Sequence, residues 1–425
     1  MDEREWLRRH RSYLFPNVIL YYEQPLVVER AQGCWVYDHD GRAYLDFFAG
    51  ILTVNAGHCH PRIVERVAEQ VRTLQHASSL YINRPMVELA EKLAQITPGR
   101  LQRSFFTNSG TEANETAVHL ARLSTGRQEV IALRHGYSGR SMLAMDLTGS
   151  GPWRPSGDHV VGIKHALAPY CYRCPLKLTY PSCGVACAGD IEELIQTTTS
   201  GRVAALIAEP VQGIGGFITP PPEYFRIAVE IVRRHGGLFI CDEVQTGFGR
   251  TGRLFAIEHY GVEPDIMTCA KALGNGMPVG ATIATPEVAA ASTGLSISTF
   301  GGNPVAMAAA LATIEVIEEE KLADNARVVG AYLRARLDAL RERHRAIGDV
   351  RGLGLMQGVE VVKEDRAPNP EGTVRVMERA RERGLLIGRG GLHGNVIRLG
   401  PPLTVTQAEV DQAVEALDLA LTGLS

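Results

Sequence analysis

The chain has 425 residues, a hydrophobic fraction of 45%, 21% charged side chains and a formal net charge of −3. Length and composition suit a globular enzyme with one large domain and a smaller partner, and the slightly acidic balance leaves no basic field for nucleic acid or anionic lipid. The first residues include Glu3 and Glu5 without an apolar run, and no later stretch reaches membrane-spanning length, so a cytoplasmic protein is expected.

From Gln32 the pattern is that of a hairpin: Gly33 to Tyr37 alternates, Asp38-His-Asp-Gly41 is turn chemistry, and Ala43 to Phe48 resumes. His58, Cys59 and His60 invite a metal, but two histidines this close ahead of a proline are too few donors for a site. Pro61 opens an amphipathic helix with apolar positions at Ile63, Val64, Val67 and Val71, and a second helix spans about Pro85 to Ile96. Arg103 to Thr107 reads as a strand that ends in Asn108-Ser-Gly-Thr-Glu-Ala-Asn114 and a helix through Ala121. Glycine and two hydroxyls at a helix start make an anion site, although Thr111 or Ser109 as a plain cap accounts for the hydroxyls equally well. Val130 to Leu133 is the next strand. It leads into His135-Gly-Tyr-Ser-Gly139, where flanking glycines free the Tyr137 ring to lie against something planar.

Four cysteines, Cys171, Cys174, Cys183 and Cys187, fall in one Pro- and Tyr-rich insertion before a helix opening near Asp190. A loop too polar and short for its own core suggests a structural zinc knuckle, with reduced thiols in a packed loop as the plainer alternative. A disulfide framework is disfavoured in a reducing compartment. Val203 to Ala208 is another buried strand, ending in Glu209-Pro-Val-Gln212. Leu238 to Cys241 is a fourth, followed at once by Asp242 and Glu243. Asp265 to Ala270 repeats the pattern and delivers Lys271 into a Gly-rich turn. Helices follow from Pro304 to about Glu319 and from Ala326 to Arg343, then the strands of Val350 to Glu360, a helix at Arg375 to Arg383, strands at Leu385 and Val396, and a closing helix near Thr406 to Leu421.

Every polar residue that looks out of place thus follows the end of an expected parallel strand: Ser109, Tyr137, Glu209, Asp242 and Lys271. Ligands of open α/β sheets bind at those ends. Taken singly, Asp242 is explained as a turn cap and Lys271 as a surface residue. Taken together they suit pyridoxal phosphate, which needs a lysine amine for the Schiff base, an acid for the pyridinium nitrogen and donors for the phosphate. A dinucleotide is excluded, because neither Gly213-Ile-Gly-Gly216 nor Gly352-Leu-Gly354 completes the spaced glycine fingerprint.

Asn108 to Asn114, Asp242 to Arg250, Lys271 to Gly276, Thr299 to Pro304 and Arg398 to Leu403 match, in order, the motifs of one family. The chain resembles the class III (ornithine/4-aminobutyrate type) pyridoxal-phosphate aminotransferases from about Gly33 to Leu403, and within them the alanine–glyoxylate type. The resemblance implies an α/β, fold-type-I homodimer. Its large domain, residues 56–305, would hold a mostly parallel seven-stranded-type sheet, and its small α+β domain would join residues 1–55 to 306–425. It further implies that Ser109, Gly110 and Thr111 hold the phosphate, Tyr137 stacks on the ring, Val244 packs beneath it and Gln245 bonds its phenolic oxygen. Asp242 would pair with the ring nitrogen, Lys271 would bind the cofactor and move the proton, and Thr299 would reach the phosphate of the other subunit. Arg398 would grip a substrate carboxylate through a bidentate fork.

Two departures shape the expected chemistry. Ile214 stands where the 4-aminobutyrate and ornithine enzymes usually have a glutamate that masks the arginine, and Ser138 replaces a frequent histidine. Without that glutamate the acceptor is expected to be pyruvate or glyoxylate rather than 2-oxoglutarate. Ile51, Tyr81 and the segment near Trp153 would shape an apolar pocket for alanine, β- or ω-amino acids, or amines. Two alternatives share the cofactor residues: a lyase that eliminates phosphate from phosphorylated amino alcohols and an inactive protein of the same fold. The intact Lys271 and Asp242 speak against the second.

Overall fold

The computed structural model describes residues 3–157 and 160–424. Its centre is a seven-stranded sheet of β4 (Arg103–Thr107), β5 (Val130–Leu133), β6 (Ile163–Ala166), β7 (Ala205–Ala208), β8 (Leu238–Asp242), β9 (Ile266–Cys269) and β10 (Gly280–Ala284), in the order β4-β10-β9-β8-β7-β5-β6. The pairs β5–β6, β5–β7, β7–β8 and β8–β9 are parallel, while β10 runs antiparallel to both its neighbours. The central strands β5, β7, β8 and β9 are largely apolar because both faces are covered. Phe239 and Cys241 of β8 enter one core with Leu206 and Met267, whereas Ile240 enters the opposite core with Ile207 and Ile266. The period of two assigns alternate residues of a single strand to two cores.

Three strands precede this sheet: β1 (Val28–Gln32), β2 (Trp35–Asp38) and β3 (Ala43–Asp46). Five follow it: β11 (Ile347–Leu353), β12 (Met356–Val361), β13 (Leu385–Leu386), β14 (Gly388–Gly390) and β15 (Val396–Leu399). They form two four-stranded sheets, β1-β2-β3-β13 and β11-β12-β15-β14. The parallel pairing of β3 with β13 ties the N-terminal meander to the C-terminal segment. The helix Pro304–Glu319, rich in buried alanines, packs on helices Pro61–Thr73 and Arg84–Ile96. Arg250, fully buried, fastens three regions at once: its guanidinium donates to Asn55 Oδ1 and to the carbonyls of Leu355 and Pro401.

Several elements lie outside the expected set. Strands β1, β6 and β10 and the helices Glu3–Tyr13 and Tyr224–Arg234 are additional, and the helix expected near Asp190 begins at Ala186. The thiols of Cys171, Cys174, Cys183 and Cys187 border one small void, yet among the described residues no three His, Cys, Asp or Glu side chains are grouped to hold a metal. That loop is braced by other means. Tyr170 and Arg173 both bond the buried Glu360 of β12, which Arg351 Nη1 also meets at 2.7 Å.

Candidate active site

The residues that follow β4, β5, β7, β8 and β9 converge: Ser109, Tyr137, Glu209, Asp242 and Lys271 line one cavity of about 730 Å³. Gly110, Thr111, Val244 and Gln245 line it too. Parallel strands favour this outcome, since each ends at the same edge and delivers the residues at or just beyond its end to the same space.

At one end lies the start of the helix Gly110–Thr125. Ser109 Oγ caps it, accepting from the Glu112 N–H at 3.3 Å. The N–H groups of Gly110 and Thr111 donate to nothing among the described residues and sit at the positive end of the helix dipole. The capping account uses the Ser109 hydroxyl and the anion account these N–H groups, so the two draw on different atoms and do not compete. Gly110 has no alternative here, because a Cβ would meet Val244 Cγ1 at 2.9 Å.

Asp242 is 3% exposed. Its Oδ1 accepts from the Val244 N–H at 3.0 Å and its Oδ2 from Asn114 Nδ2 at 2.8 Å. Asn114 is itself oriented by Thr268, whose hydroxyl donates to Asn114 Oδ1 at 2.7 Å. Burial raises the Asp242 carboxyl above its ordinary range, against the pull of those bonds and of Lys271. Glu209 is likewise pushed up by burial and by Asp242, although the Tyr137 and Gly213 N–H groups donate to its two oxygens at 3.0 and 2.8 Å. Burial lowers the Lys271 amine, with Asp242 and Glu209 opposing and Arg398 adding to the fall. Lys271 sits at φ +41° and makes no side-chain hydrogen bond or ion pair among the described residues, so its amine is unspent. Gln245 Oε1 is buried without a partner.

A second, largely apolar cavity of about 920 Å³ adjoins the first across Tyr137. Phe15, Val18, Ile19 and Leu20 wall it from the N-terminal side, and Ile51 and Trp153 from the other. The Trp153 ring meets Tyr137 edge-on at 5.5 Å. Ile51 belongs to a left-handed turn, with φ of +49°, +60°, +69° and +57° at Ala49, Gly50, Ile51 and Leu52. Strain of this kind in non-glycine residues collects at functional rims. Asp46 Oδ1 holds the turn by accepting from the Phe48 and Ala49 N–H groups, both at 2.8 Å.

Three expected residues lie elsewhere. Arg398 is fully buried and borders neither cavity: it donates to the carbonyls of Arg389 and Gly213 and to the Tyr21 hydroxyl at 3.0, 3.3 and 3.1 Å. Tyr81 and Thr299 are exposed, on two loops knitted together by the bonds from Asn83 Nδ2 to the Gly302 carbonyl and from Asn303 Nδ2 to that of Gln75. Sequence reasoning gave no role to Asn114 or to the segment around Val18 to Tyr22. The first was signalled by an amide inside an alanine-lined helix face, the second by an apolar run ahead of the hairpin.

Residues 21–421 match the family model described as aminotransferase class-III. The chain is 45% identical to alanine–glyoxylate aminotransferase 2 homolog 2, mitochondrial, of Arabidopsis thaliana, over 98% of this chain and 87% of that one. It is 40% identical to acetylornithine aminotransferase of Methanothermobacter thermautotrophicus over the full length of both. Among solved structures, an amine transaminase from an uncultivated Pseudomonas species, in a pyridoxal-phosphate-bound form, superposes with a TM-score of 0.90 at 34% identity, covering 96% of this chain and 98% of that one.

Proposed function

The chain belongs to the class III aminotransferases, and from that membership we propose that it carries an amino group from alanine, a β- or ω-amino acid or an amine to pyruvate or glyoxylate, by a ping-pong mechanism. Pyridoxal-phosphate-dependent transamination between amino acids and 2-oxo acids is its reaction class.

The residues present fit that cofactor. Free N–H groups at Gly110 and Thr111 suit its phosphate, the space between Val244 and Tyr137 suits a flat ring, and the orphaned Gln245 Oε1 suits a ring hydroxyl. Asp242, held by Asn114 and the Val244 N–H, faces the same space for the ring nitrogen. Bound there, pyridoxal phosphate supplies the electron sink that takes up the electron pair left on a substrate carbon. The chain supplies the proton handling. Burial lowers the Lys271 amine and so favours its uncharged form, the form whose Nζ can accept the substrate proton and return it elsewhere as general base and then acid. Asp242 keeps positive charge on the ring nitrogen by opposite-charge attraction. Glu209, through its bonds to the Tyr137 and Gly213 N–H groups, fixes the loop that carries the stacking ring.

The half-buried, unspent Lys271, in the same cavity as Asp242, carries the reading of the chemistry. The substrate class rests on the apolar cavity next door and on Ile214, which is buried and uncharged beside the Gly213 carbonyl that meets Arg398. A homodimer with shared sites is supported by the exposed Leu80, Tyr81, Ile82 and Phe300 on the two knitted loops, apolar side chains that a partner subunit would cover. Thr299 and Tyr81 would then serve the partner's site. Eight unpaired cysteines suit the reducing cytoplasm, and among the described residues no helix is long and apolar enough to cross a membrane. The test is an acceptor panel at fixed donor, with pyruvate or glyoxylate expected to outrun 2-oxoglutarate. The reverse order overturns the acceptor reading, and phosphate released from phosphoethanolamine without any acceptor overturns transamination in favour of elimination.

A further inference from the structure

Arg398 is a cation in a place that ordinarily demands an anion. It is 0% exposed, and among the described residues no carboxylate pairs with it. Its three bonds go to neutral oxygens, and the Phe48 and Phe217 rings lie 4.9 and 5.7 Å from its guanidinium carbon. Neutral acceptors offset only part of the desolvation of a buried guanidinium, so the site retains a strong appetite for a carboxylate. Two of the three acceptors are backbone carbonyls fixed by β14 and by the Gly213 turn. The third, the Tyr21 hydroxyl, is the movable one.

Tyr21 also stands where a carboxylate would have to pass. Its ring packs on Phe48 at 5.4 Å, and these two rings are at once the floor of the apolar cavity and the cover of Arg398. The segment that carries it, residues 14–27, has no helix or strand to hold it, and its hydroxyl, which accepts from Arg398, also donates to the Arg389 carbonyl at 3.4 Å. Breaking the Arg398 bond therefore leaves the hydroxyl satisfied.

We propose that Tyr21 is a neutral latch on Arg398: a substrate carboxylate displaces its hydroxyl from Nη2, whereas a donor without a carboxylate leaves the latch closed and rests on the Tyr21 and Phe48 rings. One site thus accepts both acids and amines without a charged gate. The proposal rests on the reading of Arg398 as the carboxylate-binding residue, and the two are separable. Tyr21→Phe removes the hydroxyl and keeps the ring packing. In the holoenzyme, the dissociation constant of propionate, followed by titration of the cofactor's absorbance, should fall about three- to tenfold, the range expected when the ligand no longer has to break one hydrogen bond of ordinary net strength. The KM of pyruvate should fall by a similar factor relative to that of a carboxylate-free amine. Arg398→Lys should weaken propionate binding. If it does not, Arg398 is not the carboxylate site and both readings fail. If it does, but Tyr21→Phe leaves propionate unchanged or weakens it, or moves the acid and amine constants together, the latch alone is overturned.

Discussion

The two adjoining cavities are built by opposite means. The one that suits the cofactor is assembled from residues at or just beyond the ends of five strands of a single sheet, so its geometry is inherited from a hydrogen-bonded ladder with cores on both faces. The one that suits the substrate draws its walls from an N-terminal stretch without regular structure, a left-handed turn and the segment around Trp153. On the proposed reading, chemistry sits on the rigid frame and selectivity on segments that no ladder holds. A change at a strand end should therefore abolish the reaction for every substrate, and a change in the other cavity should re-rank substrates. Lys271→Ala is the most severe case. We expect a yellow protein to lose its borohydride-fixed adduct and turnover to fall by at least about a thousandfold for all donors, in line with loss of a positioned base and a covalent anchor together. Turnover that survives for one donor class would break the contrast.

The same contrast separates what was legible in the sequence from what was not. Strands β5, β7 and β8 announce themselves as apolar runs and β9 as one broken only by Thr268, and the candidate residue comes within four positions of each run: Tyr137, Glu209, Asp242 and Lys271. A local pattern suffices there because sheet order does the rest. Strand β10 was invisible: Gly280-Ala-Thr-Ile-Ala284 is short, opens on glycine and holds Thr282, and its place is set by antiparallel pairing to β4 and β9. The helix Glu3–Tyr13 buries no residue and so has no apolar stripe to find. Arg398 and Tyr21 meet across 377 positions of sequence, and nothing near either residue signals the other.

Trp153→Ala should act on the second cavity alone. The ring contacts Tyr137 edge-on and closes one wall of the apolar space, so its removal leaves the strand ends intact. The KM of an arylalkyl amine should rise about tenfold as apolar contact is lost, while kcat with alanine changes by less than about threefold. An equal loss of kcat with both donors would mean that Trp153 holds Tyr137 in place and belongs to the rigid frame after all.

The smallest effect is expected where the frame does no chemistry. Asp242 and Glu243 are neighbours at the end of β8, yet their side chains part company: Asp242 lines the cavity, and Glu243, 1% exposed, turns away from it. Glu243 accepts from the Thr246 hydroxyl and from the Ile257 N–H at 2.8 Å. Burial pushes its carboxyl up from 4.5 to about 7, against those bonds. A carboxyl whose folded pKa is raised contributes stability that is fully present below the unfolded value and is lost as pH rises through the folded value. The chain should thus lose on the order of 3 kcal/mol between about pH 4.5 and pH 7 from this group. Glu243→Gln removes the titration while keeping one acceptor, so the fall in stability over that window, read by urea unfolding of the cofactor-free protein at a series of pH values, should flatten. KM values for donor and acceptor should stay within about twofold, since the group touches neither cavity. A variant that unfolds with the same pH slope as the parent would show that Glu243 stays ionised in the fold, held by Thr246 and the Ile257 N–H more strongly than burial opposes it.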